Sequence, residues 1–109
     1  MKTRELAFSG LQCVQPAPGS IEITGGYTSD LLSDVMAHLK EGEVLITIQA
    51  HKNTIAVASL TGASAVILCH GRSASPDMLE AAAKENIAVF VSSGSQYETT
   101  VKLARALRV

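Results

Sequence analysis

Glu43-Val-Leu-Ile-Thr-Ile-Gln49 is a run of β-branched and aliphatic residues, long enough for a strand and too short for a helix. It does not alternate apolar with polar. A strand that reads this way is buried on both faces, as in a parallel sheet covered on both sides. Ala65-Val-Ile-Leu-Cys69 and Ile87-Ala-Val-Phe-Val91 repeat the pattern. Three such runs, separated by helix-length segments, predict an α/β fold.

The intervening segments carry helix punctuation. Asn53 can cap a helix over Thr54–Leu60, with Gly62 where a left-handed terminal residue is wanted. Ser75-Pro76-Asp77 opens a second helix with a capping serine, a proline at the first position and an acid at the positive end. It runs to about Glu85, with Asn86 as terminator. A last helix begins near Ser93 or Ser95, because Ser93/Gln96 and Ser95/Glu98 both have capping-box spacing. Tyr97, Val101, Ala104 and Leu107 form its expected inward stripe, and Lys102, Arg105 and Arg108 face outward.

Upstream, Leu31, Leu32, Val35, Met36 and Leu39 make one apolar stripe, capped by Thr28 or Ser29 and ended by Gly42. Leu11–Val14 and Ile21–Thr24 read as two strands joined by a turn at Pro16, Pro18 and Gly19. Thr3–Phe8 reads as a short helix. The whole is one domain over residues 1–109: a mostly parallel sheet, strand–helix repeated four times after an N-terminal strand, with right-handed crossovers.

Composition narrows the function. The chain of 109 residues is 47% apolar but only 17% charged, 4% aromatic and without Trp. Average soluble domains carry about 25% charge. A net charge of −1 and two residues each of Phe and Tyr give neither an electrostatic footprint nor stacking platforms for nucleic acid. No apolar run approaches the roughly 20 residues of a membrane helix, and MKTRELAFSG does not resemble a signal peptide. Cys13 and Cys69 are too few for a disulfide scaffold and read as reduced, partly buried thiols. A cytoplasmic protein is expected. The thin surface charge leaves little to keep two copies apart, so a homodimer is expected, covering Leu11–Thr24 and the Leu31–Leu39 helix.

In a parallel α/β sheet the ligand crevice lies outside the carboxyl ends of the strands. That rule nominates Thr24–Ser29, Gln49–Thr54, Cys69–Ser75 and Ser92–Gln96, each passing from strand to helix N-terminus. Free N–H groups, close-approach glycines and the cations Lys52 and Arg72 suit an anionic small molecule, a nucleotide or phosphate compound. The expected binding residues are His51, Lys52, Asn53, His70, Gly71, Arg72, Ser93 and Ser95. The same serines, asparagine and glycine also serve simply as helix caps and turns. There is no G-x-x-x-x-G-K-[ST] and no G-x-G-x-x-G. No metal-ligand spacing involves Cys69, His70 and His51, and the sequence calls for no cofactor. An alternative is a protein-interaction subunit needing a partner protein and no small molecule. A further one is a small enzyme using Cys69 or His51.

Gly42–Ala58, Gly62–Gly71, Ser75-Pro76 and Ile87-Ala-Val89 resemble the DRTGG domain family, from about Tyr27 to Leu107. That family places Asp-Arg after one strand and Thr-Gly-Gly after the next; the matching positions here are His51-Lys52 and Cys69-His70-Gly71. Gly71 keeps the family letter and Lys52 the charge. The resemblance implies a regulatory or ligand-sensing, self-associating module without an assigned reaction. It is similar to domains found beside CBS domains in regulated pyrophosphatases and to the non-catalytic N-terminal domain of HPr kinase/phosphorylase.

Overall fold

The computed structural model describes residues 1–17, 19 and 21–108. Its strands are β1 (Leu11–Gln15), β2 (Gly25–Thr28), β3 (Glu43–Thr47), β4 (Ala65–Leu68) and β5 (Ala88–Ser92). Its helices are α1 (Leu32–His38), α2 (Lys52–Thr61), α3 (Pro76–Glu85) and α4 (Gln96–Leu107), preceded by a 3₁₀ turn at Thr3–Glu5. The sheet order is β1-β5-β4-β3-β2. β2 to β5 are parallel, and β1 closes one edge antiparallel to β5.

The continuous apolar runs have the expected cause. Along β3, Leu45 belongs to one core while Val44 and Ile46 belong to the other. Val66 and Leu68 divide from Ala65, Ile67 and Cys69 in the same way. The first core is roofed by α1, α2 and α3 through Val35, Ile55, Ala58, Met78 and Ala82. The second is covered by α4 through Leu103 and by N-terminal residues including Leu6, Phe8 and Ile23. Four parallel strands laid side by side in chain order send their three connecting helices to one face. Only α4 and the N-terminal segment cover the other.

Several expectations need correction. The second strand is Gly25–Thr28, so Thr24–Ser29 is mostly strand and not a strand-to-helix loop. Ile21 is 40% exposed, and Ile23 is buried from outside the sheet, beside the Lys2–Glu22 bridge. A glycine suits the edge because a Cβ on Gly26 would lie 2.8 Å from Leu103 Cδ2, so α4 approaches β2 closely there. β1 and β2 stand at opposite edges of the sheet, and Pro18 of the expected turn lies outside the described residues. Thr3–Phe8 is helical only over Thr3–Glu5.

The α1 stripe is narrower than its sequence pattern. Leu31 is 62% exposed and Met36 50%, while Val35 and Leu39 are buried. Ser29 Oγ accepts from the Leu31 N–H at 3.2 Å, one residue ahead of the helix, and the helix ends before Gly42. Tyr97 is 80% exposed. The buried stripe of α4 instead runs through Thr99 and Leu103, because the end of β5 presents Ser92 and Thr99 Oγ1 pairs with its hydroxyl at 2.7 Å. Cys13 is exposed and Cys69 buried. No helix among the described residues is long and apolar enough to cross a membrane.

Candidate functional site

The carboxyl ends of β3, β4 and β5 lie side by side and release three loops toward α2, α3 and α4. Because the parallel strands follow chain order, no topological switch point opens a deep crevice between them. The edge is a series of shallow depressions instead, and five of the eight expected residues line two of them.

His51, Lys52 and Asn53 come together. They line an open depression of about 460 Å³ with Ser75 and Asp77, and all three are exposed. The capping residue of α2 is His51, not Asn53, and among the described residues no side chain accepts a hydrogen bond from the first turn. Thr54 holds the loop from within: buried, it donates from Oγ1 to the Gln49 carbonyl at 2.6 Å. His51 Nε2 lies 3.1 Å from Gln49 Oε1. Gln49 in turn donates from Nε2 to the Asp30 carbonyl at 2.7 Å, fixing the loop to the end of β2.

His70 and Gly71 form a tight turn. Both backbones are left-handed, with φ of 60° and 61°, and the Arg72 N–H returns to the Cys69 carbonyl at 3.3 Å. Positive φ at both central residues is the signature of a type I′ turn. The conformation explains why glycines suit this position: a side-chain-bearing residue there costs about 1–2 kcal/mol. His70 occupies the first left-handed place nonetheless. The turn's own N–H groups are spent, His70 N–H on the Gly94 carbonyl and Gly71 N–H on the Ser92 carbonyl, each at 2.8 Å. Arg72 and Gly71 line a different depression, shared with Gln12 and Val14 of β1.

Ser93 is tied through its backbone and Ser95 through its side chain as well. The Ser93 N–H donates to the Gly10 carbonyl at 3.0 Å, joining the loop to the N-terminal segment. Ser95 caps α4: its Oγ accepts from the Glu98 N–H at 3.1 Å, and its own N–H donates to Glu98 Oε1 at 3.0 Å. The Ser95 N–H, and after it the hydroxyl, hold the Glu98 carboxyl below its usual range, with smaller contributions from Lys102 and His70. Ser75 caps α3 in the same manner, accepting from Met78 N–H at 3.1 Å.

Cys69 is buried at 0% exposure, and desolvation pushes its thiol up, an effect only partly offset by Thr99. A nucleophile needs an accessible thiolate, so Cys69 is poorly placed for that work. No group of three or more His, Cys, Asp and Glu among the described residues could hold a metal ion.

One cluster lay outside the expected set. Tyr27 Oη donates to Asp34 Oδ2 at 2.7 Å, His38 Nδ1 lies 3.0 Å from Asp34 Oδ1, and the Tyr27 and His38 rings stack at 6.3 Å. The Tyr27 hydrogen bond leads in holding the Asp34 carboxyl below its ordinary range, and the same bond raises Tyr27. The cluster pins α1 to β2. The four-residue spacing of Asp34 and His38 was its one visible trace in the sequence.

The fold has a known counterpart. A crystal structure of the CBS and DRTGG domains of the regulatory region of Clostridium perfringens pyrophosphatase, complexed with the activator diadenosine tetraphosphate, superposes with a TM-score of 0.60 at 18% identity. The alignment covers 85% of this chain and 40% of that one, so the chain spans less than half of its structural neighbour. No curated protein matches. The DRTGG domain itself matches residues 23–106, from just before β2 to the end of α4. With most of its length matched, the chain belongs to the DRTGG domain family.

Proposed function

We propose that the chain is a cytoplasmic, non-catalytic regulatory module that senses an anionic small molecule, a nucleotide or phosphate compound, at the strand-carboxyl edge. The observation that carries this reading is a contrast in capping. α3 and α4 have side-chain acceptors on their first turns, whereas α2 begins without one, between exposed His51, Lys52 and Asn53. Free N–H groups at the positive end of a helix, beside a lysine, favour an anion. The Clostridium perfringens protein lends support, being a regulatory region complexed with a nucleotide activator. Burial of Cys69 and the engagement of His51 with Gln49 count against a small enzyme built on either residue.

Thermal unfolding with inorganic phosphate, adenosine monophosphate and diadenosine tetraphosphate tests the reading. A ligand at one hundred times its Kd stabilises by about 2.7 kcal/mol, on the order of 10 °C for a domain of this size. Lys52→Ala removes that shift while leaving the free protein's Tm in place. Absence of a shift with any of the three overturns the proposal.

A second reading, self-association or docking of a partner protein, is favoured by a specific observation. Leu31, Met36 and Leu60 are 62%, 50% and 72% exposed on or beside α1 and α2. Light scattering decides it: a dimer mass that falls to the monomer in Met36→Glu supports self-association, and a monomer at all concentrations excludes it.

A further inference from the structure

The reading above leaves unused a groove on the other side of the Gly71–Ser75 loop. β1 carries the sheet one strand beyond β5, and α3 reaches over it but covers it only in part. Gln12 is exposed there and Val14 only half-buried. The resulting open cavity, about 310 Å³, has Val14 and Val91 as its floor, Leu79 of α3 as its wall and Gly71 to Ala74 as its lip.

Its charge is one-sided. Arg72 is the one ionisable residue among the described lining residues, and it forms no ion pair with a described carboxylate. The Lys52 depression is different, since Asp77 lines it too and an adjoining one adds Glu80 and Lys84. An unpaired guanidinium offers a planar fork of donors suited to a carboxylate or phosphate oxygen pair. A few apolar side chains with a single charge at one end form the usual anatomy of a small-ligand site, and the volume sits at the small end of the common range of about 300–1,000 Å³.

We infer that this groove binds a small organic anion, a carboxylate or phosphate monoester with a compact apolar body. Its charged end meets Arg72, and its body lies on Val14, Val91 and Leu79. Inorganic phosphate leaves the apolar floor wet, and a neutral hydrocarbon leaves Arg72 unanswered, so neither fits. The site does not depend on Lys52. Its floor is half built from β1, which lies outside the 23–106 family match.

A ¹⁵N NMR titration of the full chain with 1-naphthoate, and separately with inorganic phosphate, tests this. With naphthoate, amides of Gln12, Val14, Arg72 to Ala74 and Val91 shift together; with phosphate they do not. Arg72→Ala weakens naphthoate binding about tenfold, the scale of one charge-assisted hydrogen bond. Gln12→Glu, at an exposed position, weakens it several-fold by placing a like charge in the groove, and Lys52→Ala leaves it unchanged. Silent groove amides, or undiminished affinity in Arg72→Ala, overturn the inference. Shifts confined to residues 51–53 and abolished by Lys52→Ala overturn it as well, while leaving the earlier reading intact.

Discussion

Where β5 passes into α4, Ser95 and Glu98 exchange two hydrogen bonds across the first turn, and Ser92 and Thr99 pair their hydroxyls in a buried space at 2.7 Å. Where β3 passes into α2, two strands away, His51 and Thr54 turn back to Gln49 in the loop, and the first turn of the helix has no side-chain acceptor among the described residues. Both are helix starts on the same edge of one sheet, and each leaves N–H groups without intrahelical partners. At α4 a side chain, Ser95 Oγ, takes the third N–H of the helix. At α2 the third N–H, that of Thr54, turns to the His51 carbonyl at 3.0 Å instead. Serine, asparagine and glycine are abundant at both ends, so residue type alone does not separate a site from a cap.

The contrast can be broken by mutation. The largest effect is expected at Thr99→Val, which deletes a buried hydroxyl facing Ser92 and should lower unfolding free energy by about 1–2 kcal/mol in urea denaturation. A loss under about 0.5 kcal/mol would mean that the α4 end is not closed in the manner described. Next comes a matched pair of cap deletions: Ser95→Ala should cost about 1 kcal/mol, whereas His51→Ala should stay within about 0.5 kcal/mol. Equal costs would erase the distinction between the two ends.

The smallest effect is a pH dependence. Folding lowers the Glu98 carboxyl from its ordinary value of 4.5. Its contribution is therefore fully present above that value and is lost as pH falls through the lowered one. In Glu98→Gln, which keeps an acceptor but cannot titrate, the decline of Tm between neutral pH and pH 3 should be shallower than in the parent. An identical decline would show that the capping box does not depend on charge.

Much of the fold was legible because the evidence for it is local. Val44 to Ile46, Val66 to Leu68 and Val89 to Phe90 must be strands, since successive side chains feed two different cores. Ser75-Pro76 and Ser95 with Glu98 declared their helices through chemistry that does not depend on the rest of the chain. The misreadings arose where tertiary packing overrides pattern. Ile21 and Ile23 look more strand-like than Gly25-Gly26, but the edge of the sheet needs a residue that Leu103 can approach closely. Tyr97 looks inward by spacing, yet the face of α4 above Ser92 must be polar. The candidate site was legible as a set of loops and not as a place. The sequence could put Lys52 and Arg72 on one edge, but only the strand order and β1 send them to separate depressions.

The left-handed turn at His70-Gly71 has a mechanical consequence. Its two N–H groups are tied to the carbonyls of Gly94 and Ser92, at the root of the helix that covers the opposite face of the sheet. A displacement of the Arg72 loop of about 1 Å exceeds the tolerance of a hydrogen bond near 3 Å. Such a movement must therefore either break both ties or drag the start of α4 with it. The turn acts as a tie-rod between the two layers, so strain applied on one side of the sheet is delivered to the other.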